Sequence, residues 1–254
     1  MSAHWLALEQ EVAQWRGLGR TVDLWWRDDD ARTPTPELAR LLELARDAGV
    51  PLALAVIPKG ACAEAFAGMG RQVEVLQHGA DHLNRGGAQG KKTEFPLSEP
   101  AQEAIQRLLE GRRRLLHLFG ERALAVLVPP WNRFAPARVG DLARAGYIGL
   151  SSFQPRQARE PAPGLLQINT HVDIIDWRAG RVFVGEERSV HMMAAQLSAR
   201  RLGQCDADEP LGLLTHHAVH DRSAWEFLER LFERSQALAG LRWRRAGEIF
   251  AGQW

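Results

Sequence analysis

Three short polar clusters in this chain each follow an apolar run that reads as a buried strand. Val22-Asp23-Leu24-Trp25-Trp26 precedes Asp28-Asp29-Asp30, Val73-Glu74-Val75-Leu76 precedes His78 and His82, and Leu211-Gly212-Leu213-Leu214 precedes Thr215-His216-His217. Helical patterns lie between such runs, and that alternation is the signature of βα units built around parallel strands. In a barrel of such units the residues just past the strands gather at one end. The acidic cluster and the two histidine clusters are therefore expected to meet there.

The pattern places further elements. Thr35 as N-cap, Pro36 in the first turn, apolar Leu38, Leu41, Leu42 and Ala45, and Gly49 as the stop define one helix. Strands are expected at 52–57, up to Leu76, and at 123–128, 147–150, 165–169 and 211–214. Helices are expected at about 99–118 with Ser98 as a cap and Gly120 after it, at 136–145, at 189–201, and after Ser223, carrying Trp225, Leu228, Leu231 and Phe232. Leu6, Val12, Trp15 and Leu18 mark a short amphipathic helix within residues 1–20. About seven βα units imply a closed or nearly closed barrel, one catalytic domain over residues 1–254 with a core from about 21 to 250. The polar, Gly-rich loop 82–97 is long enough to be functional.

Composition excludes several classes. With 32 basic against 31 acidic residues, the net charge of +1 gives no electrostatic reason for a nucleic-acid partner. Arg112-Arg113-Arg114 lies in a helical pattern and reads as a solvated face. No window approaches the ~18 apolar residues of a membrane span. The first 20 residues lack the basic-then-apolar layout of a secretory signal, and Cys62 and Cys205 are too few for a disulfide framework, so a cytoplasmic location is expected. Nine tryptophans against one tyrosine lean slightly toward sugar stacking beside their packing role.

His78 and His82 are four residues apart, so one helical turn past the strand would bring both imidazoles to one face, each offering a nitrogen to a divalent metal. A carboxylate from the aspartates would complete a set with positions left open for water and substrate, and the ion would make that water more acidic. The reading is a metal-dependent hydrolase, with a further histidine as proton donor. Three adjacent aspartates also repel one another unless a cation or Arg27 is near. His216 and His220 are again four apart, so a second metal pair competes.

Asp29-Asp30, His78-x-x-x-His82, Pro129-Pro130-Trp131, Asp173-x-x-Asp176-Trp177 and Leu213-x-x-His216 occur in the order of the five motifs of the polysaccharide deacetylases. That carbohydrate esterase group includes chitin, peptidoglycan and xylan deacetylases, and the chain resembles it from Trp26 to His216. The resemblance implies a deformed (β/α)7 barrel with its active site at the carboxyl ends of the strands. It further implies removal of an N- or O-acetyl group from a sugar or glycan-like substrate. Asp30, His78 and His82 would hold one divalent ion, zinc or else cobalt, nickel or manganese, and Asp29 would be the base; the register Asp28 as base and Asp29 as ligand stays open. His216 would be the general acid, poised by a carboxylate of Asp173 or Asp176. Pro130 and the backbone N–H of Trp131 would border the oxyanion, Trp177 would wall the groove and Leu213 would shape the acetyl pocket. Two positions depart from the motifs. Gly79 stands where a Ser or Thr steadies the histidine loop, and Val128 stands where an arginine usually holds the base, a task left to Arg133 or Arg27. These departures favour a small acetylated sugar, glycan precursor or amide as partner, and leave the oligomeric state open. The alternatives are a barrel that binds a glycan or metabolite without turnover, or an amidohydrolase acting on a small cyclic amide.

Overall fold

The computed structural model describes residues 3–87 and 90–252. The strands, in chain order, are β1 (Val22–Ala31), β2 (Leu52–Val56), β3 (Val73–His78), β4 (Ala123–Val128), β5 (Gly149–Leu150), β6 (Leu166–Gln167), β7 (Val172–Asp173), β8 (Ile175–Asp176), β9 (Val182–Phe183), β10 (Leu211–Thr215) and β11 (Leu241–Trp243). The helices are α1 (Ala3–Gly17), α2 (Pro36–Ala48), α3 (Ala101–Phe119), α4 (Val139–Arg144), α5 (Glu186–Arg201), α6 (Arg222–Ala237) and α7 (Ala246–Phe250). Strands this continuously apolar must be covered on both faces, and the helices provide the outer cover.

Parallel pairing runs in the order β6-β5-β4-β3-β2-β1-β10-β7. The two ends are one extended run. Leu166, Ile168 and Thr170 donate their N–H groups to Ile148, Leu150 and Ser152, whereas His171 and Ile174 donate to Gly212 and Leu214 on β10. This run closes the ring, and the structure is the expected α/β barrel with strands at seven positions. The β8–β9 hairpin and β11, which pairs with the start of β1, carry too few residues for a periodicity to mark them.

Side-chain alternation along each strand separates two apolar layers. Trp25, Ala53, Ala55, Leu76, Val126, Val128 and Ile168 fill the barrel and meet Ala246, Ile249 and Phe250 of α7. Leu24, Trp26, Leu54, Val75 and Leu213 belong to the layer shared with α1, α2, α5 and α6. Thr35 caps α2 through Leu38 N at 3.1 Å, and Gly49 ends it at φ 65°, as expected. Other ends differ. Pro100, not Ser98, precedes α3, and Asp221, not Ser223, caps α6 by accepting from Ala224 N at 2.8 Å. In α1 the buried face runs through Trp5, Leu8, Val12 and Trp15, which turns Leu6 and Leu18 outward to 46% and 62% exposure. Among the described residues no helix is long and apolar enough to cross a membrane.

Candidate metal centre

The end of β1 sends its three aspartates to three environments. Arg27 and Asp29, two residues apart, share the face of Trp25 and are buried. Arg27 donates Nε and Nη2 to Asp29 Oδ1 and Oδ2 at 2.8 and 2.9 Å, Nη1 to Ser151 Oγ at 2.7 Å, and Nη2 to Asn132 Oδ1 at 2.8 Å. A buried guanidinium needs that saturation, because an unpaired charge there would cost several kcal/mol. Asp28 points to the helix side, where it accepts from Thr215 Oγ1 at 2.6 Å and His217 N at 3.0 Å and lies 2.5 Å from His217 Nδ1. Burial would raise the Asp28 carboxyl, but the charge and hydrogen bond of His217 outweigh it and hold it below the ordinary range.

Alternation would send Asp30 the same way as Asp28. Instead the pairing with β2 slips between Asp28 and Ala31, and Asp30 adopts φ 73°, which swings its carboxylate to the histidines. Asp30 Oδ1 lies 3.1 Å from His78 Nε2 and 3.3 Å from His82 Nε2. His78 Nδ1 sits 3.0 Å from the Val128 carbonyl, so that nitrogen carries the proton and Nε2 is left to bind. One donor atom from each of the three residues lies within 4.8 Å of the others, the only such trio among the described residues. Burial would raise Asp30 as well, yet the hydrogen bond and charge of His78, with His216 and His82 nearby, hold it far below the carboxylate range. Two imidazole nitrogens and an ionised oxygen, with His82 and Asp30 partly open to solvent, fit a divalent cation of the zinc type. Among the described residues, His216 and His220 belong to no such trio. His220 packs edge-on against Trp225 at 4.6 Å, and burial pushes its pKa down to about 4.

Strained backbone gathers around this centre. Asp30, His82, Trp131 and Asn132 are all non-glycine residues at positive φ, between 55° and 73°, a cost that surrounding structure must offset. The His82 and Trp131 rings pack at 4.6 Å. His216 is buried, its Nδ1 has no hydrogen-bond partner among the described residues, and its ring meets Trp177 edge-on at 4.6 Å. Trp177 Nε1 donates to Asp173 Oδ2 at 2.8 Å, and Asp173 Oδ1 accepts from Ile175 N at 3.0 Å. Asp173 thus reaches His216 through the indole and through space. Burial raises the Asp173 carboxyl, against the lowering pull of the His216 charge.

Three expected residues stand elsewhere. Asp176 accepts from Arg178 N and Ala179 N in the turn after β8 and pairs with Arg188, so the turn and not the site uses its carboxylate. Arg133 donates to the Lys92 carbonyl, and among the described residues it is Arg27 that grips Asp29. Leu213 shares the parity of Trp26, its pairing partner, and packs in the helix-facing layer rather than in an acetyl pocket. Pro130 is buried against the Gly79 turn. Sequence reasoning missed Ser151, Asn132 and Glu94, none of which sits in a motif. Glu94, fully buried, accepts from Ala80 N and Asp81 N. One hollow of about 870 Å³ is lined in part by Asp173 and Trp177, and another of about 540 Å³ by Asn132 and Arg133.

No family model matches the chain, and no curated protein matches it. Solved structures do. A Mycobacterium smegmatis structure named as a polysaccharide deacetylase superimposes with a TM-score of 0.65 at 15% identity, over 92% of this chain and 90% of that one. The PuuE allantoinase gives 0.59 at 14% identity over 91% and 89%. The Bacillus subtilis peptidoglycan deacetylase PdaC gives 0.53 at 14% identity over 92% and 93%. At such identities the likeness establishes the fold, which is that of the polysaccharide deacetylases.

Proposed function

We propose that this chain is a divergent polysaccharide deacetylase, a metal-dependent hydrolase that removes an N- or O-acetyl group from a sugar or glycan-like substrate. The observation that carries this reading is the convergence of Asp30, His78 and His82 beside an Asp29 gripped in two-pronged fashion by Arg27. Asp30, His78 and His82 would hold a divalent ion, zinc or else cobalt, nickel or manganese, which would supply Lewis acidity and make water there more acidic. Asp29 takes the proton of the attacking water, and Arg27 fixes the direction from which it does so. The N–H of Trp131 donates to the oxygen that gains charge at the acetyl carbon. His216 delivers a proton to the departing nitrogen or oxygen, with Trp177 and Asp173 holding the ring in place. Trp131 and Trp177 offer apolar faces to the sugar, and the two hollows have room for its neighbours.

Metal analysis of protein purified without chelator, followed by acetate release from acetylated mono- and oligosaccharides, tests the proposal. A stoichiometric ion and acetate release that stops on chelation and returns on metal addition are expected. A chain that holds no ion and turns over neither acetylated sugars nor cyclic amides is instead a binding barrel. Ring opening of a small cyclic amide is the second reading, favoured by the likeness to the allantoinase; hydantoin-type amides belong in the same assay panel.

A further inference from the structure

Past β3 the chain turns at Gly79 and runs through Ala80 and Asp81 to the candidate ligand His82, without the hydroxyl that the motif leads one to expect at position 79. Glu94 lies beneath this turn with no exposed surface. Its Oε1 accepts from both Ala80 N, at 3.0 Å, and Asp81 N, at 2.8 Å. The fit is close. A Cβ at Gly79, where φ is 61°, would overlap Glu94 Oε2 and stand 2.7 Å from Pro130 Cδ. Arg85 ties down the far side, donating to Asp81 Oδ1 and Oδ2 at 2.8 and 2.7 Å and standing 3.7 Å from Glu94 Oε1. Thr93 O accepts from Arg85 N at 2.8 Å and Gly86 N at 3.1 Å, which returns the loop so that Glu94 comes under its start.

Burying a carboxyl is costly unless it gains hydrogen bonds, and the two that Glu94 Oε1 accepts come from the backbone of the histidine loop. Resting on the metal-centre reading above, we infer that Glu94 is a positioning residue that presets His82 relative to His78 for metal capture, in place of a hydroxyl at position 79. Groups behind the ligands act on affinity by fixing ligand orientation before the ion arrives.

The test measures zinc and cobalt affinity of the full chain by chelator competition, with the cobalt absorption spectrum as a report on ligand geometry. Glu94→Ala should weaken binding by about 10- to 100-fold and shift the cobalt bands, while Glu94→Gln, which keeps an acceptor oxygen, should stay close to wild type. A folded Glu94→Ala chain with wild-type affinity and spectrum overturns the inference, as does an equal loss in both variants. Amide exchange on metal-free wild type needs no variant to fold: the Ala80 and Asp81 amides should be protected to the level of β3, and free exchange at both overturns the clamp. Wild-type protein that takes up no ion overturns the metal-centre reading itself, and the exchange measurement separates that result from failure of the clamp.

Discussion

Asp28, Asp29 and Asp30 carry the same side chain into three surroundings: a histidine on the helix side, a guanidinium inside the barrel, and two imidazoles at its mouth. Asp29→Asn should retain the metal and lose turnover, because an amide cannot accept the water proton, whereas Asp30→Asn should weaken metal binding as well. Asp28→Asn should leave the metal in place and lower stability by about 1–3 kcal/mol through lost bonding to Thr215 and His217. Metal content, denaturant unfolding and acetate release on the three variants decide the register; turnover lost in Asp28→Asn with stability unchanged would reassign the base. His216→Ala should lower kcat on an amide by ~10²- to 10⁴-fold with the metal retained, and matter far less on an activated acetyl ester that leaves unaided. Equal losses on the two substrates, or the same amide defect in His217→Ala, would move the acid elsewhere. The residue types of this site were legible in sequence. Their directions were not, since the φ 73° bulge at Asp30 overrides the alternation on which such reading depends.

Elements with strong local signals were legible nearly to the residue: α2 between Thr35 and Gly49, and β4 at Ala123–Val128. The run from Leu166 to Asp173 was legible only as far as Asn169, because Asn169 and His171 enter a buried polar network with Glu209 in place of an apolar pattern. Glu94 was illegible for a different reason. It lies 12 residues beyond His82 in a polar loop, and only the returning chain shows that it is buried. That burial raises its carboxyl from 4.5 to about 7, with Asp81 and Arg85 facing it. The folded chain then keeps a proton that the unfolded chain gives up, so this contribution to stability is full below pH 4.5 and is lost as the pH rises through about 7. Relative to Glu94→Gln, which does not titrate, wild type should lose stability across that window and run parallel above it. Denaturant unfolding of both proteins from acid to neutral pH would show this, and a constant difference would contradict it.

Across the whole molecule, the seven-position ring depends on how closely β10 approaches the closing run. A Cβ at Gly212 would stand 2.6 Å from Asn169 O, Thr170 Cα and Trp25 Nε1, all parts of the closure or the barrel interior. Gly212→Ala should therefore destabilise by about 1–3 kcal/mol, read as a lower denaturant midpoint with the slope unchanged; full stability would mean that the seam is looser than drawn. The grip of Arg27 on Asp29 has the opposite character. Both belong to one strand, so the two-pronged contact itself crosses no strand boundary, while Ser151 and Asn132 take up the remaining donors of the guanidinium. A related barrel given residues 27–30 alone would therefore receive an oriented carboxylate only if the turns after its fourth and fifth strands also offered acceptors like Asn132 and Ser151; without them the transplanted guanidinium would lie buried and short of partners.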